Sequence, residues 1–368
     1  MKIKIRIVYP SGTSWNCIGS VYDEFIEDDR YHVCVLTENF PKYIDAMKKK
    51  KIKYIPLDEY DLKIDRPDVL LMTSYSSTPQ ELNFKGSRQY VNRVISLFPN
   101  IVINEDSLDL HWKYVNTAYQ YLTPDIFLFD SLPYKFSKGY IDEKKAVKMG
   151  NPQFDELYQK MNMETKDSWE KLNGKKVFLW ATDHGVQEYY PIEAFSVDRY
   201  INFFFNYFTK HNDIGLIVRF HPYLLRELMN DGVFWSYSDY EKVKDFCKHS
   251  NNIVWDDSPD FCSAYKRSDA MFVDVNCGLT VSYLCTGKPI CRLVRNDMQT
   301  KLIHPELKDA YYYANDIKQC IDFINMVEED CFDPKREVRA KVFTESVLHY
   351  DGCNGVRIKE YIDGLCML

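Results

Sequence analysis

The sequence predicts an α/β protein built from two doubly wound, Rossmann-like domains that face each other across a cleft. Strand-like and helix-like segments alternate along almost the whole chain, and one polar stretch interrupts this alternation near the middle. The chain has 368 residues, enough for roughly two domains of ~150 residues each. Because parallel strands need crossover helices, which cover both faces of a sheet, the βαβα order favours parallel sheets.

The first half contains short runs rich in β-branched residues, each bounded by turn residues, which predicts strands. These runs are Ile3–Tyr9, His32–Thr37, Lys53–Leu57, Val69–Ser74, Ile101–Asn104, Ile126–Asp130 and Ala146–Met149. The helical candidates between them are Pro41–Lys51, Ser87–Leu97, Leu110–Leu122 and Phe154–Met161. We therefore predict an N-terminal domain over residues 1–162.

The stretch that follows is polar, has little apolar periodicity and ends in the turn signal Asn173-Gly174, which predicts a linker over residues 163–175. Alternation then restarts. The strand-like runs are Lys176–Asp183, Ile214–Val218, Asn252–Asp257, Ala270–Val275 and Pro289–Val294. From Asn315 onward only helical patterns occur. We predict a second domain over residues 176–350 and a C-terminal helix over residues 351–368.

Composition excludes several classes of protein. The 47 Lys and Arg residues against 54 Asp and Glu residues give a formal net charge of −7, which argues against nucleic-acid binding through bulk charge. The 11 cysteines occur singly, without zinc-ligand spacing, which predicts reduced thiols and no metal site. Neither a signal peptide nor a run of ~18 apolar residues is recognisable, so we expect a cytoplasmic protein.

The strongest local signal is the segment Arg219-Phe220-His221-Pro222, which ends a predicted strand. Ligands of doubly wound sheets bind outside the carboxyl ends of the strands. Arg219 and His221 would therefore present two cationic or donor side chains to an anion. The alternative is that His221 is a structural histidine and Arg219 part of a surface ion pair, and the spacing favours neither.

A second anion site is predicted where an apolar strand ends at Asp274 and a helix begins near Leu279. Backbone N–H groups at a helix start lack intrahelical partners, and the helix dipole adds to their attraction for phosphate. The candidate residues are Asp274, Asn276, Cys277, Gly278 and Thr280. The alternative for Asn276 is an ordinary N-cap.

Two further segments follow predicted strands of this domain. In Thr182-Asp183-His184-Gly185, either Asp183 or His184 is a candidate for contact with the donor or the acceptor, although a simple turn explains the segment better. In Ser258-Pro259, we predict a structural role, with Ser258 as the N-cap and Pro259 as the first residue of a helix.

One loop of the first domain is a candidate for contact with acceptor hydroxyls. It follows the first strand and contains Ser11, Gly12 and Ser14. Because it has a single glycine, it is not the GxGxxG motif of dinucleotide binding.

A possible general base lies in the segment Asn104–Trp112, which contains Asp106, Asp109 and His111. The segment comes just after a predicted strand, where a base of the active site would be expected. Helix capping by Asp106 is the alternative and is slightly favoured, since acidic residues also stabilise the first turn of a helix.

Two lysine-rich stretches stand out from this acidic chain. One is Lys48–Lys51 with Lys53, and the other contains Lys135, Lys138, Lys144, Lys145 and Lys148. Such stretches are usually solvated surfaces. Here they are also candidates for peripheral contact with an anionic membrane or a phosphorylated acceptor.

Taken together, these segments resemble the CDP-glycerol glycerophosphotransferase-like family, the teichoic-acid and capsule-building transferases of the GT-B fold. The resemblance is carried by FLWATDHG, FSVDRYINFF, IVRFHPYLL and SDAMFVDVNCGLTVSYLCTGKPI, in that order. MGNPQFDELY resembles the family's Gly-x-Pro-x-x-Asp segment, and HYDGCNGVRIKEYI resembles its C-terminal Asp-Gly helix. The chain departs from the family in lacking a Ser-rich turn after Asp274 and a His-Gly motif in the first domain.

The resemblance implies a GT-B-like transferase that moves glycerol phosphate, or a related polyol phosphate, from a CDP-linked donor to a glycan or lipid-linked glycan at the inner face of the membrane. It implies that the donor pyrophosphate binds Arg219, His221 and the residues from Asp274 to Thr280, with His184 nearby. The acceptor hydroxyl would attack the distal phosphorus and CMP would leave, without a metal or other cofactor. Arg219, His221, Asp106 and His111 are the catalytic candidates.

Two other functions remain open at this point. One is a GT-B glycosyltransferase that uses a nucleotide sugar. The other is a non-catalytic nucleotide-binding module of a capsule-synthesis complex, which the missing His-Gly motif favours.

Overall fold

The structure, a computed structural model, describes residues 2–9, 15–73, 79–97, 121–129, 143–164, 169–183, 196–221, 224, 236–258, 260–274, 279–294, 305–329 and 333–366. The chain divides into two compact units. The first contains the described residues up to Asn162 together with Glu345–Leu368, and the second lies within Met163–Thr344. The C-terminal segment, predicted to follow the second domain, therefore belongs to the first unit.

The first unit contains a parallel sheet, of which the structure describes seven strands in the order β3-β2-β1-β4-β5-β6-β7. They are β1 (Ile3–Tyr9), β2 (Tyr31–Thr37), β3 (Tyr54–Pro56), β4 (Val69–Met72), β5 (Arg93–Leu97), β6 (Ile126–Phe129) and β7 (Ala146–Lys148). The α-helices described here are Gly19–Ile26, Pro41–Lys49, Leu62–Asp65, Gln153–Asn162 and the C-terminal helix Asn354–Cys366. The central strand β4 is buried at every position, as expected for a sheet covered on both faces.

The second unit contains a parallel sheet with six described strands in the order β10-β9-β8-β11-β12-β13. They are β8 (Lys176–Ala181), β9 (Ile214–Arg219), β10 (Ile253–Trp255), β11 (Ala270–Asp274), β12 (Ile290–Leu293) and β13 (Tyr312–Ala314). The described α-helices from Met163 onward, before the C-terminal helix, are Val197–Lys210, Tyr237–His249, Cys262–Arg267, Leu279–Tyr283, Pro305–Lys308, Ile317–Glu328 and Arg336–Ser346.

An aromatic core joins this second sheet to the helix Val197–Lys210. Phe204 and Phe208 lie four residues apart on the buried face of the helix and pack against Trp180, Phe178 and Phe272 of the sheet. The ring centroids of Trp180 and Phe204 are 4.8 Å apart. Each large ring that leaves water adds roughly 2–3 kcal/mol to folding, so this helix is held chiefly by packing.

The predicted helix Ser87–Leu97 is wrong. The structure has one 3₁₀ turn at Ser87–Tyr90, followed by strand β5. Val91, Val94 and Ile95 fit a helical stripe, but they are also β-branched, and β5 is buried between β4 and β6. The short strand β13 was not predicted. The predicted strand Ile101–Asn104 and residues 110–120 of the predicted helix after it lie outside the described residues.

A buried carboxylate attaches the C-terminal helix to the rest of the first unit. Asp155 Oδ1 accepts hydrogen bonds from the backbone N–H of Asn354 at 2.9 Å and from its Nδ2 at 2.8 Å. Oδ2 accepts from the Gly355 N–H and from Ser20 Oγ, each at 2.8 Å. The Asn354 side chain packs so closely against Gly150 that a Cβ atom at residue 150 would lie 1.6 Å from Asn354 Oδ1. None of the described helices has the length and apolar character to cross a membrane.

Candidate functional site

The candidate site is the rim of the second sheet, which we define as Thr182, Asp183, Arg219, His221, Asp256 and Asp274, at or just after the carboxyl ends of β8, β9, β10 and β11. Strand β8 pairs with β9 on one side and with β11 on the other, so the direction of winding reverses between β8 and β11. Ligands of open α/β sheets bind at the carboxyl ends of the strands at this type of switch point. Asp183 and Asp274 lie at the switch.

Asp274 is completely buried and connects the two strands at the switch. Its Oδ2 accepts a hydrogen bond from the backbone N–H of Asp183 at 2.9 Å, whereas no group in the described part of the chain hydrogen-bonds to Oδ1. Burial raises the pKa of Asp274 to about 8, and the negative charge of Asp183 acts in the same direction, whereas the nearby polar groups of Ser196 and the Asp183 N–H act against the shift and are outweighed. The carboxyl group is therefore mostly protonated at neutral pH.

The complete burial of Asp274 changes its expected role. The sequence suggested that this residue contacts the donor phosphate directly, but the structure buries it completely, without solvent-accessible surface. A buried group cannot contact a ligand without movement of its neighbours. Asp274 is therefore placed to position the segment after β8, through its contact with Asp183.

Arg219 is held in a buried ion pair. Its side chain is 13% exposed and its Nη1 lies 2.5 Å from Oδ2 of Asp256, which is 2% exposed. Nη2 also donates to the Ser258 backbone oxygen at 2.8 Å. The sequence left open a surface ion pair for Arg219, but both members of the observed pair are largely buried. Because Asp256 neutralises the guanidinium, Arg219 brings little net positive charge to an anionic ligand, but it has a fixed position.

Ser258 hydrogen-bonds to both members of the Arg219–Asp256 ion pair and is not a helix cap. Its Oγ donates to Asp256 Oδ1 at 2.6 Å, and the described helix begins only at Cys262. The N-cap of that helix is Phe261, and the backbone N–H of Cys262 donates to Asp260 Oδ1 at 3.0 Å. The sequence signal for Asp256 was its position near the end of the predicted strand Asn252–Asp257. Its pairing with Arg219, 37 residues earlier, has no local signature.

The segments after β8 and β9 are joined through Thr182. Its backbone N–H donates to the Arg219 oxygen, and its Oγ1 accepts from the backbone N–H of His221, each at 3.3 Å. Thr182 is buried and His221 is partly exposed. The predicted candidates Arg219 and His221 are thus brought to the same edge as Asp183 and Asp274, although nothing yet assigns them a ligand.

Sequence reasoning missed a buried cation next to this edge. Arg292 lies on β12, is completely buried, and has its guanidinium carbon 5.1 Å from the ring centroid of Tyr311. Burial raises the pKa of Tyr311 to about 12, while the charge of Arg292 opposes that shift. The signal was an arginine within the apolar run Pro289–Val294. Thr280, which was predicted to bind the phosphates of the donor substrate, is also buried and lies in the five-residue helix Leu279–Tyr283.

Ten predicted site residues lie outside the described residues: Ser11, Gly12, Ser14, Asp106, Asp109, His111, His184, Asn276, Cys277 and Gly278. Their assignments remain predictions. In the part of the chain that is described, no group of three His, Cys, Asp or Glu side chains is arranged to hold a metal ion.

Solved structures share the architecture of this chain. The UDP-GlcNAc 2-epimerase of Neisseria meningitidis bound to UDP-GlcNAc is 11% identical, with a TM-score of 0.63 and coverage of 98% of this chain and 99% of that one. S. aureus MnaA with UDP is 14% identical, with a TM-score of 0.65 and coverage of 100% and 98%. A variant of the wall teichoic acid polymerase TagF soaked with CDPG is 13% identical, with a TM-score of 0.59 and coverage of 99% and 88%.

The chain has a GT-B-like fold. This confirms the predicted fold class, with two parallel sheets and their helices. No protein-family model and no curated protein matches the sequence. At such low identities the structural likeness shows the fold alone, because one fold hosts many activities.

Proposed function

We propose that this GT-B-like chain is a transferase that moves glycerol phosphate, or a related polyol phosphate, from a CDP-linked donor to a glycan or lipid-linked glycan. The observation that carries the proposal is the polar rim at the switch point of the second sheet, where the fold binds its ligands. The choice of donor is supported by the sequence motifs and by the similar fold of a teichoic acid polymerase soaked with CDPG.

In the proposed reaction, an acceptor oxygen attacks the distal phosphorus of the donor. The new P–O bond forms as the bond to the leaving group breaks, and CMP departs with the negative charge. His221 and the backbone N–H groups from Asn276 to Thr280 would stabilise that charge, and Arg219, fixed by Asp256, would orient the phosphates. No metal or other cofactor is part of the proposal.

The first unit would supply the acceptor side in this proposal. Asp106 or His111, with Asp109 as a further candidate, would take the proton of the acceptor hydroxyl. The loop with Ser11, Gly12 and Ser14 would bind the acceptor's other hydroxyls.

A GT-B glycosyltransferase that uses a nucleotide sugar is the second candidate. It is supported by the same fold in an epimerase bound to UDP-GlcNAc. The phosphate site would be shared, but the acceptor would attack an anomeric carbon and a nucleoside diphosphate would leave.

Nucleotide release from a donor panel tests both candidates. The protein is incubated with CDP-glycerol, CDP-ribitol and UDP-, GDP- and CMP-sugars, with glycan and lipid-linked glycan acceptors. We expect CMP from the CDP-polyols. Turnover with a nucleotide sugar alone would replace the first candidate by the second. Nucleotide binding without turnover of any donor would favour a non-catalytic module.

The His221→Ala variant tests the rim itself. We expect a loss of turnover of at least ~100-fold with a melting temperature close to that of the wild type, since His221 is partly exposed. His211→Ala is the matched control, because His211 is an exposed histidine of the same unit before the amino end of β9. Equal turnover in the two variants would contradict a role for the rim.

We also propose that the first unit contacts anionic lipid at the inner face of the membrane. Lys48–Lys51 and Lys53 are all exposed, and Phe40 at the start of the preceding helix is 54% exposed. Clustered lysines gain roughly 1 kcal/mol each near an anionic surface. Co-sedimentation with phosphatidylglycerol vesicles, but not with phosphatidylcholine vesicles, is expected, and replacement of Lys48, Lys49 and Lys50 by Glu should abolish it.

A further inference from the structure

Two adjoining grooves lie beside the helix Tyr237–His249 of the second unit. One has a volume of about 660 Å³ and is lined by residues of β10, the strand at one end of the described sheet. The other has a volume of about 590 Å³ and lies near the amino ends of β9 and β10. Both volumes fall in the range of ~300–1,000 Å³ that is typical of ligand sites. Asp245 lies on the helix between the two grooves and lines both, so the grooves adjoin there.

Aromatic side chains line both grooves. Trp169 and Trp255 line the first, and both are only partly buried. Phe246 lines the second, with 42% of its surface exposed. Its ring stacks on Phe205, with ring centroids 4.9 Å apart and an interplanar angle of 6°, which covers one face of the ring. Exposed aromatic faces suit ligands with flat, weakly polar C–H surfaces, and sugar rings have such surfaces.

The polar residues of the grooves are balanced in charge. Four lysines and four carboxylates line them: Lys171, Lys242, Lys244, Lys248, Glu170, Glu241, Asp245 and Asp257. The exposed amides Asn212 and Asn251 add donors and acceptors. A polyanion gains little from a surface without net charge. Sugar hydroxyl groups, which donate and accept, match carboxylates, ammonium groups and amides together.

We propose that the two grooves form a binding site for an uncharged oligosaccharide. The first groove includes Asp257, the neighbour of Asp256 in the Arg219 ion pair, and it extends from there along β10 to Asp245. The site therefore begins next to the rim and leads away from it toward the amino ends of the strands. That its ligand is the acceptor glycan of the transfer rests on the proposed function, whereas the binding itself does not.

A glycan array probed with the full-length protein tests the proposal without any nucleotide. The array carries neutral, amino-sugar, uronic-acid and phosphate-bearing oligosaccharides. We expect binding to uncharged oligosaccharides of several residues, and a change in tryptophan fluorescence when the best ligand is titrated. Binding to phosphate-bearing glycans alone, or to none of the array, would overturn the proposal.

Two single substitutions locate the binding. Trp169→Ala and Phe246→Ala should each weaken the affinity for the best array ligand about tenfold, the effect typical of an aromatic contact residue. Ile64→Ala, at an exposed apolar residue of the first unit to which no role is assigned, is the control and should leave the affinity unchanged. Equal affinities in all three variants, with unaltered melting temperatures, would refute the assignment. Nucleotide release from the donor panel is measured separately, so failure of the proposed function and failure of this site can be told apart.

Discussion

Asp155 in the first unit and Asp274 in the second are both completely buried carboxyl groups, but their surroundings differ. Asp155 accepts four hydrogen bonds, which come from Asn354, Gly355 and Ser20. Asp274 accepts one from the Asp183 backbone, and its Oδ1 has no partner among the described residues. Asp155 connects three segments of its unit, whereas Asp274 lies at the switch point of its sheet.

This difference shows how to separate a structural buried acid from a functional candidate. A carboxyl group whose oxygens accept several hydrogen bonds repays its desolvation through those bonds. A carboxyl group with few donors holds its proton instead, at a cost in stability that a protein retains mainly at functional sites. The rim of the second sheet is therefore the better place to look for chemistry.

The pH dependence of folding is the strongest test of this contrast. Unfolded Asp274 ionises near the ordinary value of 3.8, whereas the folded group keeps its proton until about pH 8. Between these values the unfolded state binds fewer protons, so stability falls as the pH rises, by roughly 1 kcal/mol for each pH unit, and levels off above pH 8. Urea denaturation of the wild type and of Asp274→Asn from pH 4 to pH 9 measures the effect. The variant should lack this fall, and parallel curves would contradict the raised pKa.

Removal of Asp155 should give the largest loss of stability at a single pH. Asp155→Ala leaves four donors without their acceptor and weakens the attachment of the C-terminal helix, which should cost about 4 kcal/mol. At pH 8, Asp274→Asn should cost nothing or stabilise the protein. Similar losses in the two variants, measured by urea denaturation, would break the comparison.

A third prediction concerns the stability that the buried ion pair of Arg219 and Asp256 contributes to the rim. Arg219→Ala leaves Asp256 buried without its cation, and should cost about 3 kcal/mol. The double variant Arg219→Ala/Asp256→Ala should lose less stability than the sum of the losses of the two single variants. A double-mutant cycle in urea measures the coupling, and strict additivity would mean that the pair is not coupled in solution.

The smallest expected effect concerns one of the four donors to Asp155. Ser20→Ala removes a hydrogen bond of 2.8 Å and leaves three in place, so it should cost about 1 kcal/mol. Ser346→Ala serves as the control, because the buried Ser346 Oγ has no hydrogen-bond partner among the described residues. Equal losses in the two variants would show that the Ser20 contact adds nothing.

Much of the fold could be predicted from apolar runs. Runs such as Ile3–Tyr9 and Ala270–Val275 predicted β1 and β11 to within a residue, because parallel strands covered on both faces are almost continuously apolar. Apolar patterns gave the wrong prediction at β5, because the spacing of its apolar residues also fits a helix. They also missed β13, which has only three residues. At the rim, the sequence placed Arg219 and His221 at the end of a strand, since strand ends are marked by turn residues.

The sequence by itself determined the alternation of strands and helices, the two-sheet fold class and the strand-end positions of the candidate residues, because these follow from periodicity and turn chemistry over short distances. Only the tertiary structure decided that Asp256 neutralises Arg219, that the buried Asp274 contacts Asp183 and that the C-terminal helix attaches to Asp155. Those contacts join residues 37 to 199 positions apart, and local pattern carries no information on which distant strands become neighbours.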